Sequence, residues 1–256
     1  MESIAACVVA LALFATATPL RAAGLEELSL YPSIQYFTWE EFDRADSRIV
    51  KEEGPLYGLG VAMKADLASK VLLLTGKTEI FGGEVKYDGA TLAGAPVRSN
   101  VDYVGINAAL DLGYRLQAHN LSLEPFAGLG YRWWHREIQA TVISSTTTEE
   151  WDILSLRLGA RGECRLSPAA RLFIAGGAKY PWFNRNVANP DGGSDETFHP
   201  GRKWSAFAEA GGQFGRIRPA FFYEGFRFGD SPTVGSFYQP RTNADIVGIS
   251  VGFAFR

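Results

Sequence analysis

The chain has 256 residues, a net charge of −3 and a pI near 5.7, so it carries no basic field of the kind that gathers nucleic acid or anionic headgroups. Aromatic residues make up 13% and glycines number 28, while mean hydropathy is only −0.04. That mixture suits many strands and tight turns better than the Leu-rich helices of an α/β enzyme.

Residues 4–17, IAACVVALALFATA, form the one long apolar run. It stands at the extreme N-terminus and leads to small residues around Ala17, Ala22 and Ala23, the pattern of a secretory leader. It falls short of the roughly 20 residues a helix needs to cross a bilayer. Residues 1–23 are therefore expected to be a signal peptide, cleaved between about 17 and 23, and residues 24–256 the mature domain. Met1, Glu2 and Ser3 depart from the pattern, since a leader ordinarily opens on a basic residue. Cys7 lies inside the leader and leaves Cys164 alone in the mature chain. An intramolecular disulfide or a Cys-based zinc site is then out of reach.

Beyond the leader the hydrophobic period is two, the signature of strands. Tyr57, Leu59, Val61 and Met63 share one face, opposite Gly58, Gly60, Ala62 and Lys64. Ile106, Ala108, Leu110, Leu112 and Tyr114 oppose Gly105, Asn107, Ala109, Asp111 and Gly113. The pattern returns in Leu121, Leu123, Ala127, Leu129, Tyr131 and Trp133, and again in Leu154, Leu156, Leu158, Ala160 and Gly162. At the C-terminus Val247, Ile249, Val251, Phe253 and Phe255 oppose Gly248, Ser250, Gly252 and Ala254. A second face of tiny residues fits the crowded inside of a narrow barrel better than the wet face of a sandwich.

Strands are predicted near 29–39, 54–66, 69–86, 101–115, 121–136, 151–165, 170–183, 204–214, 216–228 and 244–256. Ten is an even number, as a bacterial single-chain barrel requires; one misread hairpin would make it eight or twelve. Short turns near 67–68, 116–120, 166–169 and 215 alternate with long polar segments at 40–53, 87–100, 137–150, 184–203 and 229–243.

With its leader, its alternating strands and its closing Gly248-Ile249-Ser250-Val251-Gly252-Phe253-Ala254-Phe255, the chain resembles the bacterial outer-membrane β-barrel superfamily. The resemblance covers the mature chain and identifies no subfamily. It implies an all-β, antiparallel transmembrane barrel in the bacterial outer membrane, with short periplasmic turns, long external loops and both termini in the periplasm. It also implies contact with outer-membrane lipid and delivery by the barrel-assembly machinery, which would read strand 244–256. Here Arg256 follows the aromatic residue that ordinarily ends such a strand.

On that frame the inward parity carries Lys64, Lys77, Glu79, Asp111, Arg115, Glu124, Arg132, Arg157, Arg161, Glu163, Lys179, Glu209 and Glu224, joined by Asp66 and Arg218. Acids and bases nearly match, so they are expected to pair across the interior, because a desolvated charge is costly without a partner. Such a network either plugs the barrel or lines a narrow polar path. The outward parity places Tyr131, Trp133, Tyr180, Trp182 and Trp204 at the external rim. It places Tyr114, Phe214 and Phe255 at the periplasmic rim, which together make two aromatic girdles.

No catalytic, metal or cofactor site is predicted. His119, His135 and His199 show no metal-ligand spacing, and His135 with Glu137 is the best acid–base candidate. Outer-membrane proteases of the omptin type use an Asp-x-His pair and lipid A deacylases a His-x-Ser arrangement; neither occurs here. Asp191, Asp195 and Glu196 could supply calcium oxygens but read as a solvated turn. The expected function is a non-enzymatic surface-binding or envelope-structural role through the external loops, toward a ligand the sequence does not name. A narrow pore for small polar solutes and an enzyme acting on lipid or peptide are the alternatives.

Overall fold

Period-two alternation becomes strand along all ten predicted segments in the computed structural model, which describes residues 24–68, 71–91, 94–189 and 194–255. The predicted leader lies outside these residues, as do Asp191 and Arg256. In chain order the strands are β1 (Gly24–Phe42), β2 (Arg48–Ala68), β3 (Leu72–Ala90), β4 (Pro96–Tyr114), β5 (Leu116–Ala118), β6 (Leu121–Ile138) and β7 (Thr147–Ser167). They continue as β8 (Ala170–Ala188), β9 (Glu196–Phe198), β10 (Gly201–Arg202), β11 (Ser205–Phe214), β12 (Ile217–Gly229) and β13 (Arg241–Phe255). Three are short. The other ten pair antiparallel with their neighbours, and β1 closes the ring against β13 in the register Leu30↔Phe253 and Tyr36↔Val247. Closure leaves no unpaired sheet edge.

One end of the barrel carries tight turns. Phe214 and Ile217 flank a two-residue turn in which Gly215 takes a φ of +61°, a left-handed conformation that glycine adopts without a Cβ clash. At the other end the strands run further than predicted into the long polar segments. β1 reaches Phe42 and β2 starts at Arg48, where 40–53 was expected to be a connection. β7 starts at Thr147, inside the expected connection 137–150. Polarity masked these extensions, since a strand above a membrane loses its apolar face without losing its ladder.

The outward face is apolar over its middle. On β13 it shows Val247, Ile249, Val251, Phe253 and Phe255, all exposed, and on β4 Leu110, Leu112 and Tyr114. A tilted strand crosses a bilayer in about 9–11 residues, yet β2 and β7 have 21. The surplus stands at the loop end, where the outward parity turns charged: Lys51 and Glu53 on β2, Glu150 and Asp152 on β7, Arg227 on β12 and Asp245 on β13 all take part in close charged contacts there.

Inward, small residues let the walls close in. A Cβ on Gly177 would strike the Leu158 carbonyl across the β7–β8 ladder, so this position admits only glycine without a backbone shift.

Candidate functional site

The interior divides into two layers. In the half nearer the tight turns, the alternating strands aim acids and bases at one another. Lys64 on β2 lies 3.1 Å from Glu124 and 2.8 Å from Glu163. Arg157 and Arg161 on β7 share Asp111 at 3.1 and 3.7 Å, and Arg161 also pairs with Glu124. Arg132 and Lys179 converge on Glu224 at 3.2 and 2.6 Å. Lys77 reaches Glu209 at 3.3 Å, while Glu79 accepts hydrogen bonds from Ser33 (3.1 Å) and Gln35. Arg115 lies at the turn-end mouth and grips Glu26 at 2.6 Å. Glu27, paired with Arg171 and 2.6 Å from Arg218, completes this end. Asp66 also interacts with its surroundings.

Many of these cations also rest on a ring. The Arg157 guanidinium lies 4.0 Å from the Phe207 centroid, Arg132 4.2 Å from Phe81, Arg218 4.3 Å from Phe173 and Arg161 5.0 Å from Phe126. A guanidinium between a carboxylate and an aromatic face keeps both its charge and its packing satisfied. Among these side chains lies a cavity of about 150 Å³.

The half nearer the loop end is different. Trp39, Trp134, Trp151, Phe37, Phe226, Phe228, Leu56 and Ile246 form one buried cluster inside the barrel, contributed by β1, β2, β6, β7, β12 and β13. The Trp39 ring meets Trp134 and Trp151 edge-on at 5.9 and 5.2 Å. Arg136 sits in this layer with a side chain only 2% exposed, and Arg132 and Lys179 reach its lower rings, Lys179 lying 3.2 Å from the Phe226 centroid. Arg136 donates to Glu52 at 2.7 Å, Glu149 at 2.6 Å and Glu41 at 3.1 Å. The Trp39 and Trp151 indoles donate to Glu41 and Glu149 at 2.8 and 3.0 Å, and Tyr103 donates to Glu52. Asn186 and Gln239 add donors from above at 3.0 and 3.2 Å. A buried carboxylate is tolerable only with such a shell.

This second layer was missed in the sequence. Glu41, Glu52 and Glu149 fall in segments read as connections, so no inward parity was assigned to them. Following the β6 alternation from Arg132 through Trp134 would have placed Arg136 inward. The inward aromatics left a signal too, since Phe126, Phe173 and Phe207 lie on the charged parity of their strands.

The predicted rim residues stand on the outer wall. Tyr114, Trp182, Trp204, Phe214 and Phe255 are each about half exposed, and Tyr131, Trp133 and Tyr180 are partly covered. Tyr180 packs against Trp204 at 5.1 Å, and the Tyr131 hydroxyl donates to Asp152 at 2.8 Å. His135 is also outside, 3.8 Å from Glu150 on β7 rather than paired with Glu137. His199 Nδ1 lies 3.0 Å from the Asn184 carbonyl, and His119 stands in the connection between β5 and β6, so the three histidines do not converge. Asp195 and Glu196 sit at the start of β9, and among the described residues no three or more His, Cys, Asp or Glu side chains gather as metal ligands. Cys164 is a free thiol on the outer wall at the turn end.

No protein-family model matches the sequence, and no curated protein matches it. Solved structures do match in shape. The outer membrane protease OmpT from Escherichia coli is similar over 91% of this chain and 98% of its own, with a TM-score of 0.53 at 8% identity. An outer membrane channel from Pseudomonas putida F1 covers 93% of this chain and 99% of its own, with a TM-score of 0.41 at 11% identity. Neisserial surface protein A covers 91% and 99%, with a TM-score of 0.36 at 7% identity. At such identities the likeness is one of fold.

Proposed function

We propose that this bacterial outer-membrane β-barrel is a non-conducting, non-enzymatic surface protein that works through the end projecting beyond the outer leaflet. One observation carries the reading: the Trp39–Trp134–Trp151 layer with Arg136 at its centre fills the lumen beneath the external connections. A water path needs a gap wider than a water molecule, and close-packed side chains leave none. The strand extensions around that layer carry the ladder up to the tips, and the tip 43–47 between β1 and β2 is short. Binding residues held on such a scaffold lose little freedom on contact.

In this reading the outward apolar belt faces lipid, with Tyr131, Trp133, Tyr180, Trp182 and Trp204 at the outer interface and Tyr114, Phe214 and Phe255 at the inner one. Strand 244–256 is the segment the barrel-assembly machinery would engage.

Planar-bilayer recording of the refolded protein tests the proposal. Silence is expected from protein shown to be inserted, while discrete, reproducible openings would establish a pore and overturn it. The surface role is tested separately on cells displaying the barrel. Replacing tips 43–47 and 91–95 with two-residue turns should abolish their adhesion to a glycan or protein surface, with insertion unchanged.

A further inference from the structure

The cavity in the turn-end layer has features that a simple salt-bridged filling does not require. Its volume of about 150 Å³ far exceeds one water site, and a cavity of that order admits a molecule the size of benzene. Its wall has two characters. Lys77, Arg157 and Arg218 line it with donors, and Phe126, Phe173 and Phe207 line it with rings.

The donors are incompletely used. Arg157 bonds Asp111 through Nε, which leaves the two Nη groups of a five-donor fork to the cavity. Arg218 places Nη1 on Glu27 at 2.6 Å but holds Nη2 3.9 Å from Glu209, beyond hydrogen-bond range. Lys77 spends one of three N–H donors, on Glu209 at 3.3 Å. Each acid of the wall already has partners: Asp111 faces two guanidiniums, Glu224 an arginine and a lysine, Glu209 a lysine at 3.3 Å with Arg218 at 3.9 Å, and Glu79 a serine hydroxyl and a glutamine amide. Spare capacity is therefore on the donor side. Toward the turn end the Arg171 and Arg218 side chains are 31% and 24% exposed, against 2% for Arg136 at the loop end.

We infer that the lumen is a blind cup, open to the periplasm, that binds a small monocarboxylate with an apolar body of about benzene size. The carboxylate takes the free donors of Arg157, Arg218 and Lys77, and the body lies against Phe126, Phe173 and Phe207. Charge-assisted, forked hydrogen bonds fix the head, and the rings exclude water from the rest. The inference goes beyond the surface role and stands whether or not the external end has a partner.

Titration calorimetry of the detergent-solubilised barrel with benzoate, benzyl alcohol and benzylamine tests it. Benzoate is expected to bind at one site per chain, with the alcohol and the amine at least tenfold weaker. Arg157→Gln should weaken benzoate tenfold or more. Ala175→Leu fills the cavity from an uncharged position of its wall and should abolish binding while the heat-modifiable mobility of the folded barrel persists. That variant keeps the test decisive if Arg157→Gln fails to fold. Absence of benzoate binding, equal binding of the alcohol, or unchanged affinity in Ala175→Leu would each overturn the proposal.

Discussion

Both ends of the barrel interior bury charge, but they do so under opposite conditions. At the turn end several acids and several bases share a network around a cavity, and side chains such as Lys77 and Glu209 stay about a third exposed. At the loop end a single guanidinium holds three carboxylates inside an apolar layer, with Glu52 at 0% exposure. In the first region acids and bases share partners, as Asp111 does with Arg157 and Arg161, and the pair nearest the cavity keeps some exposure. In the second, one guanidinium is shared by three carboxylates, and neutral indole, phenol and amide donors hold the rest of their oxygens. The lesson is that burial, rather than the number of ion pairs, sets what each pair is worth.

Breaking the external centre should have the largest effect. Arg136→Ala leaves Glu41, Glu52 and Glu149 without their cation, and losing one partner of a buried network costs about 3–5 kcal/mol. Urea unfolding in lipid vesicles should show that loss, and a change under 1 kcal/mol would mean the carboxylates find water in the folded barrel. Trp39→Ala, at 0% exposure, opens a hole in the same layer. It should cost about 3–5 kcal/mol and introduce brief conductance steps in a planar bilayer absent from the native chain. If the variant is as silent as the native protein, the seal does not depend on this ring.

Gly177→Ala sharpens the boundary between the layers, because it tests the wall itself. Its Cβ meets backbone at Leu158 and Gly159, and overpacking of this kind costs about 1–3 kcal/mol. Next in order is the periplasmic network: Glu209→Gln should cost about 1 kcal/mol or less, because Lys77 remains partly hydrated. A cost above 2 kcal/mol there would erase the contrast with Arg136. The smallest effect belongs to Arg98→Gln on the outer wall, whose pair with Asp88 is 4.0 Å long and 86% and 60% exposed. A substitution at so open a surface site is expected to stay within about 0.5 kcal/mol.

Much of the architecture was readable in the chain because its cause is local. Alternation in segments such as Ile246–Phe255 forces one face to be large and apolar and the other small, whatever the strand pairs with. The turn at Gly215 and the alternation of short and long connections gave the direction of each hairpin. The apolar belt was legible for the same reason, and Leu156, Leu158, Val251 and Phe253 all face outward as their parity requires. The upper parts of the strands were not legible. Above the belt both faces of a strand carry polar residues, as in Arg48–Glu53, and periodicity loses its contrast.

The sequence by itself determined an antiparallel barrel, with ten strands as the first reading and eight or twelve left open, the parity of its apolar belt, and an interior in which acids and bases occur together. Those properties follow from period two and from composition, and they need no knowledge of neighbours. Only the tertiary structure decided which charge meets which. Arg136 joins Glu52, 84 residues away in the chain, and Arg218 joins Glu27, 191 residues away. Such pairs depend on strand tilt and on the closure of β1 against β13, which set the height of every inward residue. The same closure brought Trp39, Trp134 and Trp151 into one layer and set it apart from the charged layer and its cavity at the turn end.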